Sequence, residues 1–266
     1  MNKVRTLRIM KMKETNQKIV MLTAYDCFMA KTLDEAGVDI ILVGDSVGMT
    51  QLGFEDTLRV TLDMMIHHCA AARRGVKSSL LVGDMPFMTY KINEDEALRN
   101  AARMVQEGGC EAVKIEGGEN FARFTSRIVN AGIPVMGHIG LVPQSVHQLG
   151  GYRVQGKEED DVIRLINDAR ALEEAGVFSI VIEAVPPSVG KRITESVRVP
   201  TIGIGAGPFC DGQVLVINDM LGLTDKKPPH FVKQYANLGN AAKKAVEQYM
   251  EEVRNGSFPD EAHCYE

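Results

Sequence analysis

The chain has 266 residues, and 30 basic against 35 acidic side chains leave a formal charge of −5. With 45% hydrophobic and 24% charged residues it has the make-up of a globular protein with one sizeable core. The acidic balance argues against nucleic acid or anionic membrane as the main partner, since either needs a concentrated basic face.

No apolar run approaches the roughly 18 residues of a membrane span. The basic start (Lys3, Arg5, Arg8, Lys11, Lys13) lacks the apolar stretch of a secretory signal, so the expected location is cytoplasmic. Cys27, Cys69, Cys110, Cys210 and Cys264 are scattered, odd in number and without metal-ligand spacing. They read as small reduced hydrophobes rather than disulfides or a zinc site.

In chain order, a short helical extension is followed by Val/Ile/Leu-rich runs at 19–24, 40–43, 80–82, 112–115, 134–139, 179–182, 201–204 and 214–217. Runs apolar on both faces suit buried parallel strands. Amphipathic patterns lie between them: Phe121, Phe124 and Ile128 make one helical face, and Val162, Leu165, Ile166, Ala169 and Leu172 make another. Gly37, Gly75, Gly132 and Gly176 each precede a strand, where glycine closes a helix in the left-handed conformation. The segment 230–255 reads as a last helix, with a polar tail after it.

Eight strands alternating with helices predict a (β/α)8 TIM barrel, taken as a single domain over residues 1–266. One link is short: only eight residues separate Ile204 from Gln213. Either that crossover is reduced to a turn or the sheet is an open doubly wound one; the barrel is preferred.

Parallel α/β folds gather their chemistry where strands end. Here the strand ends carry Asp45-Ser46, Asp84, Lys114 with Glu116, His138 and Glu183. If Val113 and Ile115 face the helices, Lys114 and Glu116 both point inward. Converging carboxylates repel unless a cation sits among them or some stay protonated. An all-oxygen donor set favours a hard ion such as magnesium over zinc. Taken singly each residue has an ordinary explanation: a helix N-cap for an aspartate, a structural ion pair for Lys114 and Glu116, a core histidine for His138. Recurrence at matching heights on several strands favours a metal-assisted enzyme.

Two other motifs carry less. Gly203-Ile204-Gly205-Ala206-Gly207 misses the dinucleotide spacing and reads as a tight turn. His67-His68-Cys69 diverges round a helix and reads as packing and surface.

The strand-end motifs taken in order resemble the ketopantoate hydroxymethyltransferases. The likeness spans roughly residues 6–252. It rests on Met21-Leu22-Thr23-Ala24-Tyr25-Asp26, Val43-Gly44-Asp45-Ser46-Val47-Gly48-Met49, Asp84-Met85-Pro86-Phe87-Met88 and Val113-Lys114-Ile115-Glu116-Gly117-Gly118. It continues through Gly137-His138-Ile139-Gly140-Leu141, Pro143-Gln144-Ser145, the run from Gly150 to Gly156, and Gly203-Ile204-Gly205-Ala206-Gly207 with Asp211-Gly212-Gln213.

The resemblance implies a cytoplasmic, homodecameric enzyme of pantothenate biosynthesis, with a barrel of the phosphoenolpyruvate/pyruvate type. It implies hydroxymethyl transfer from 5,10-methylenetetrahydrofolate to 3-methyl-2-oxobutanoate, giving 2-dehydropantoate and tetrahydrofolate through a Mg2+-stabilised enolate. By the same resemblance Asp45, Asp84 and Glu116 belong to the metal site, and Asp45, Ser46, Asp84 and Lys114 surround the keto acid. Glu183 is the proton acceptor, and Tyr25 and His138 lie near the pocket. Three rivals stand beside this reading: Lys114 as a Schiff-base nucleophile, a carbon–carbon lyase or phosphonate enzyme of the same superfamily, and a non-catalytic binding barrel.

Overall fold

Short runs of β-branched and leucine side chains, buried on both faces, pair side by side and alternate with helices that cover them. The structure is a computed structural model and describes residues 3–148, 150–224 and 227–265. The chain divides into two compact units, Met1–Val216 and Ile217–Glu266. Among the described residues no helix is long and apolar enough to cross a membrane.

The first unit begins with α1 (Thr6–Glu14), β1 (Ile19–Thr23), α2 (Cys27–Ala36), β2 (Ile40–Val43), α3 (Val47–Thr50), α4 (Leu62–Gly75) and β3 (Leu80–Asp84). It continues with α5 (Glu94–Gln106), β4 (Ala112–Glu116), α6 (Ala122–Asn130), β5 (Val135–Gly140), α7 (Glu159–Glu174), β6 (Ser179–Glu183), α8 (Pro187–Ser196), β7 (Thr201–Ile204) and β8 (Gly212–Leu215). All strands are parallel in sequence order, and β1 pairs with β8 to close the barrel. The open sheet is therefore excluded.

The short link between β7 and β8 is a turn without a helix, with Gly205 and Gly207 in the left-handed region. The last strand starts two residues earlier than its apolar run: Gly212 and Gln213 pair with Ile19 and Val20, whereas Ile217 lies outside the strand.

Local chemistry sets the helix ends. Asp26, Thr61 and Asn93 accept from the backbone N–H groups of Met29, Met64 and Glu96 and so cap α2, α4 and α5. Gly37 ends α2 at φ 86°, as its position predicts. Gly75 is a correction: it is the last helical residue of α4, not a left-handed stop. A Cβ there would stand 2.3 Å from the Cys27 carbonyl oxygen, so its role is close packing of α4 on α2.

Val4 with Ile9 and Met12 of α1 packs against Ile19, Ile40, Leu80 and Phe178 near the strand starts. Burying Ile9 and Met12 stabilises this closure by about 1.5–3 kcal/mol per side chain. With that end filled by apolar side chains, the polar residues collect at the other.

The second unit holds α9 (Ile217–Leu221) and α10 (Leu238–Asn255). The last helix starts at Leu238, not at residue 230: residues 230–237 run as turns and loop, and Asn237 caps α10 by accepting from Asn240 N–H. Beyond Gly256 the segment 257–265 carries only a single short turn, Glu261–His263; Glu266, the end of the expected tail, lies outside the described residues.

Candidate active site

Strand register brings the predicted residues together. Asp84 on β3 pairs with Lys114 on β4, Glu116 with His138 on β5, and Gly140 with Glu183 on β6. Neighbours in a parallel register share a face, so these side chains meet inside the mouth. Lys114 Nζ lies 2.7 Å from Asp84 Oδ1 and 3.1 Å from His138 Nδ1. His138 Nε2 lies 3.0 Å from Glu183 Oε2, and Nδ1 lies 3.6 Å from Glu116 Oε1.

Asp45 joins from the turn after β2: its N–H donates to Asp84 Oδ2 at 3.1 Å. Asp45, Asp84, Lys114, Glu116 and His138 are all buried. Ser46 stands at the start of α3 without capping it; its hydroxyl instead meets the Tyr25 hydroxyl at 2.8 Å. Asp45, Asp84, Lys114, Glu116, His138 and Glu183 thus form one cluster, and the Ser46–Tyr25 pair adjoins it through the chain at Asp45.

Burial pushes the Asp45 carboxyl up to about 7, aided by the Asp84 charge and opposed by Lys114 and Gln144. Burial and the Asp45 charge hold Glu116 well above the usual carboxylate range. Glu183 rises to about 7 through burial, with Lys114 pulling the other way. Burial alone works against the Lys114 ammonium, but Asp84, Glu116 and Asp45 outweigh it and hold its pKa above the ordinary value.

His138 is kept neutral by burial and by the Lys114 charge beside it. An ammonium only donates, so Nδ1 of His138 accepts and Nε2 carries the proton, facing Glu183. The result is a lysine held charged and, across neutral His138, a Glu183 carboxyl poised to titrate near neutrality.

Two residues that sequence reasoning gave no role tie this cluster together. Gln144, on the short turn Pro143–Ser145 after β5, donates from Nε2 to Asp45 Oδ2 and to the Met85 carbonyl. Its backbone N–H donates to Glu116 Oε2 at 2.9 Å. Tyr90 is fully buried; its hydroxyl accepts from the backbone N–H of Glu116 and has both the Glu116 carbonyl and Gln144 Oε1 within donating distance, 2.9 Å each, for its one proton. The only sequence signal was the quoted Pro143-Gln144-Ser145 motif.

His68 does more than pack: its Nδ1–H donates to the Tyr25 carbonyl at 2.8 Å and helps to hold that loop. Exposed His67 and buried Cys69 behave as the sequence suggests. Behind Glu183 the backbone is tight. A Cβ on Gly140 would stand 2.2 Å from the Glu183 carbonyl, and Ala184 takes φ 49°, in the left-handed region that disfavours a side chain.

Among the described residues no three His, Cys, Asp or Glu side chains stand together as a ready-made metal-binding group. The donor chemistry nevertheless fits a hard divalent cation. Three buried carboxyls face a single lysine, and Asp84 Oδ1 accepts no hydrogen bond, its contact with Lys114 lying out of line. Gln144 bonds both Asp45, from its side-chain amide, and Glu116, from its backbone N–H, and so links the two carboxyls.

The barrel is shared with enzymes of remote sequence. Phosphonopyruvate hydrolase, solved in complex with oxalate and Mg++, superposes with a TM-score of 0.64 at 14% identity over 99% of this chain and 92% of that one. A 2,3-dimethylmalate lyase, a PEP mutase/isocitrate lyase superfamily member, gives 0.61 at 16% identity over 97% and 91%. These likenesses establish the fold. The sequence relatives say more. The 3-methyl-2-oxobutanoate hydroxymethyltransferase of Thermoanaerobacter sp. (strain X514) is 53% identical over 99% of this chain and 96% of its own. The enzyme of the same name from Syntrophomonas wolfei is 54% identical over 95% and 92%. Since residues 3–261 also match the family model described as ketopantoate hydroxymethyltransferase, the chain belongs to that family.

Proposed function

We propose that the chain transfers a hydroxymethyl group from 5,10-methylenetetrahydrofolate to 3-methyl-2-oxobutanoate, with water supplying the hydroxyl, to give 2-dehydropantoate and tetrahydrofolate. It does so with Mg2+, in the cytoplasm, as a homodecameric enzyme of pantothenate biosynthesis. The observation that carries the reading is the joined set of Asp45, Asp84 and Glu116 with Lys114 beside it at a barrel mouth.

Asp45, Asp84 and Glu116 would hold the cation. When bound, it supplies positive charge to the keto oxygen and carboxylate of the substrate, which acidifies the neighbouring C–H. Lys114 adds a fixed, desolvated charge for the same oxygens. Asp45, Asp84 and the Ser46 hydroxyl line the keto acid, with Tyr25 orienting Ser46. Glu183 accepts the C3 proton, at a carboxyl already tuned towards neutrality. Neutral His138 faces it, with Nε2 3.0 Å from Glu183 Oε2. A Schiff-base role for Lys114 is disfavoured, because an imine needs a neutral amine and Asp84 keeps this one charged.

Proton exchange tests the reading without the second substrate. Incubated in heavy water with Mg2+, the enzyme should erase the C3 proton signal of 3-methyl-2-oxobutanoate, and both a chelator and Asp84→Asn should stop this. Chelator-insensitive exchange would favour the lysine route; no exchange would leave a binding barrel.

A further inference from the structure

One basic side chain near the carboxylates lacks an acidic partner. Lys91 lies on the segment 85–93 between β3 and α5, so it stands at the same barrel end as Asp84. It is half-buried, and among the described residues its ammonium makes neither a hydrogen bond nor an ion pair. Instead Nζ lies 5.1 Å from the Tyr90 ring centre, 5.3 Å from that of Phe121 and 5.8 Å from that of Phe87. Ring faces attract a cation, but they do not replace the anion or water that an ammonium loses on partial burial. The acids whose charge reaches it, Glu116 and Asp45, are already bonded by Gln144 and lie within the field of the Lys114 charge.

The same segment also presents apolar surface. Phe87, Met88 and Ile92 are 36%, 41% and 56% exposed. Met88 is held at φ 64°, a conformation its side chain disfavours, so the segment keeps this shape against local preference. A cation caged by rings and flanked by apolar surface suits a ligand with a flat aromatic body and a terminal carboxylate. The keto acid lacks such a body, and its single carboxylate sits beside the reacting ketone. Tetrahydrofolate has it: an aminobenzoyl ring ending in a glutamyl group with two carboxylates.

We propose that Lys91 binds a glutamyl carboxylate of the tetrahydrofolate co-substrate, whose aminobenzoyl ring rests on Phe87. This rests on the function proposed above and names the part of the donor that the rim recognises.

The test compares binding of tetrahydrofolate and of tetrahydropteroate, which lacks the glutamyl group, by the full-length enzyme, Lys91→Met and Lys91→Arg. Wild type should prefer tetrahydrofolate by about tenfold, the worth of one charge-assisted contact. Lys91→Met should abolish that preference, and Lys91→Arg should restore most of it. A preference that survives in Lys91→Met, or an equal loss for both ligands, would overturn the assignment. So would a tenfold rise in the keto-acid KM with folate discrimination intact, which would place the keto-acid carboxylate at Lys91 instead. Wild-type exchange of the keto-acid C3 proton, run in parallel, separates the two readings: its absence would sink the proposed function, whereas exchange without glutamyl discrimination sinks only the role of Lys91.

Discussion

Replacing Lys114 by Met should lower turnover by about 10²–10³-fold, the scale of removing one preorganised donor from a developing oxyanion. The same change should cost about 3–5 kcal/mol of stability in urea unfolding at neutral pH, because it strands buried acids without their cation. The reason is local: Nζ touches Asp84 Oδ1 at 2.7 Å, and both side chains are almost fully buried. Met keeps the length and the apolar stem, so the loss isolates the charge. Added Mg2+ should recover part of the stability, since the bereft carboxyls still bind a cation. Turnover within tenfold of wild type would show that this charge does not serve the reaction.

Glu183→Gln should reduce turnover and C3 proton exchange by about 10²–10⁴-fold, the span ascribed to a positioned base. In wild type the rate should climb as pH rises through about 7 and then level off, because only the ionised carboxylate accepts a proton. Asp45 also titrates near 7 in the free protein. Measuring at saturating Mg2+ and keto acid removes that share, as a bound cation holds its ligands ionised. Stability should move the other way. A carboxyl whose folded pKa is raised by burial contributes its full stability below the ordinary value and loses it as pH rises towards about 7. At pH 8 the glutamine variant should therefore be more stable than wild type, by up to about 3 kcal/mol. A flat wild-type profile between pH 6 and 8 would contradict the role given to this carboxyl.

Much of the barrel was legible because its strands are buried on both faces, which leaves uninterrupted Val/Ile/Leu runs. The inward pair Lys114 and Glu116 followed from alternation alone, and the register then set Asp84 and His138 beside them. The start of β8 was not legible. Gly212 and Gln213 are poor strand formers, recruited because Ile19 and Val20 of β1 need partners for closure. The role of Gly75 also needed the fold, since nothing in its neighbourhood announces the Cys27 carbonyl it must clear. Gln144 and Tyr90 escaped for a related reason: an amide and a phenol carry no charge, and only the fold brings them to Asp45, Glu116, Met85 and each other. Lys91 was invisible as one lysine among many until three aromatic rings were seen around it.

The mechanism turns on the proposal that Asp45, Asp84 and Glu116 together hold one divalent ion, and a Mn2+ titration followed by electron paramagnetic resonance addresses it directly. One ion per chain should bind to wild type, its spectrum should change when 3-methyl-2-oxobutanoate is added, and Asp84→Asn should weaken the site at least about tenfold. Absence of a stoichiometric site, or equal affinity in Asp84→Asn, would contradict it.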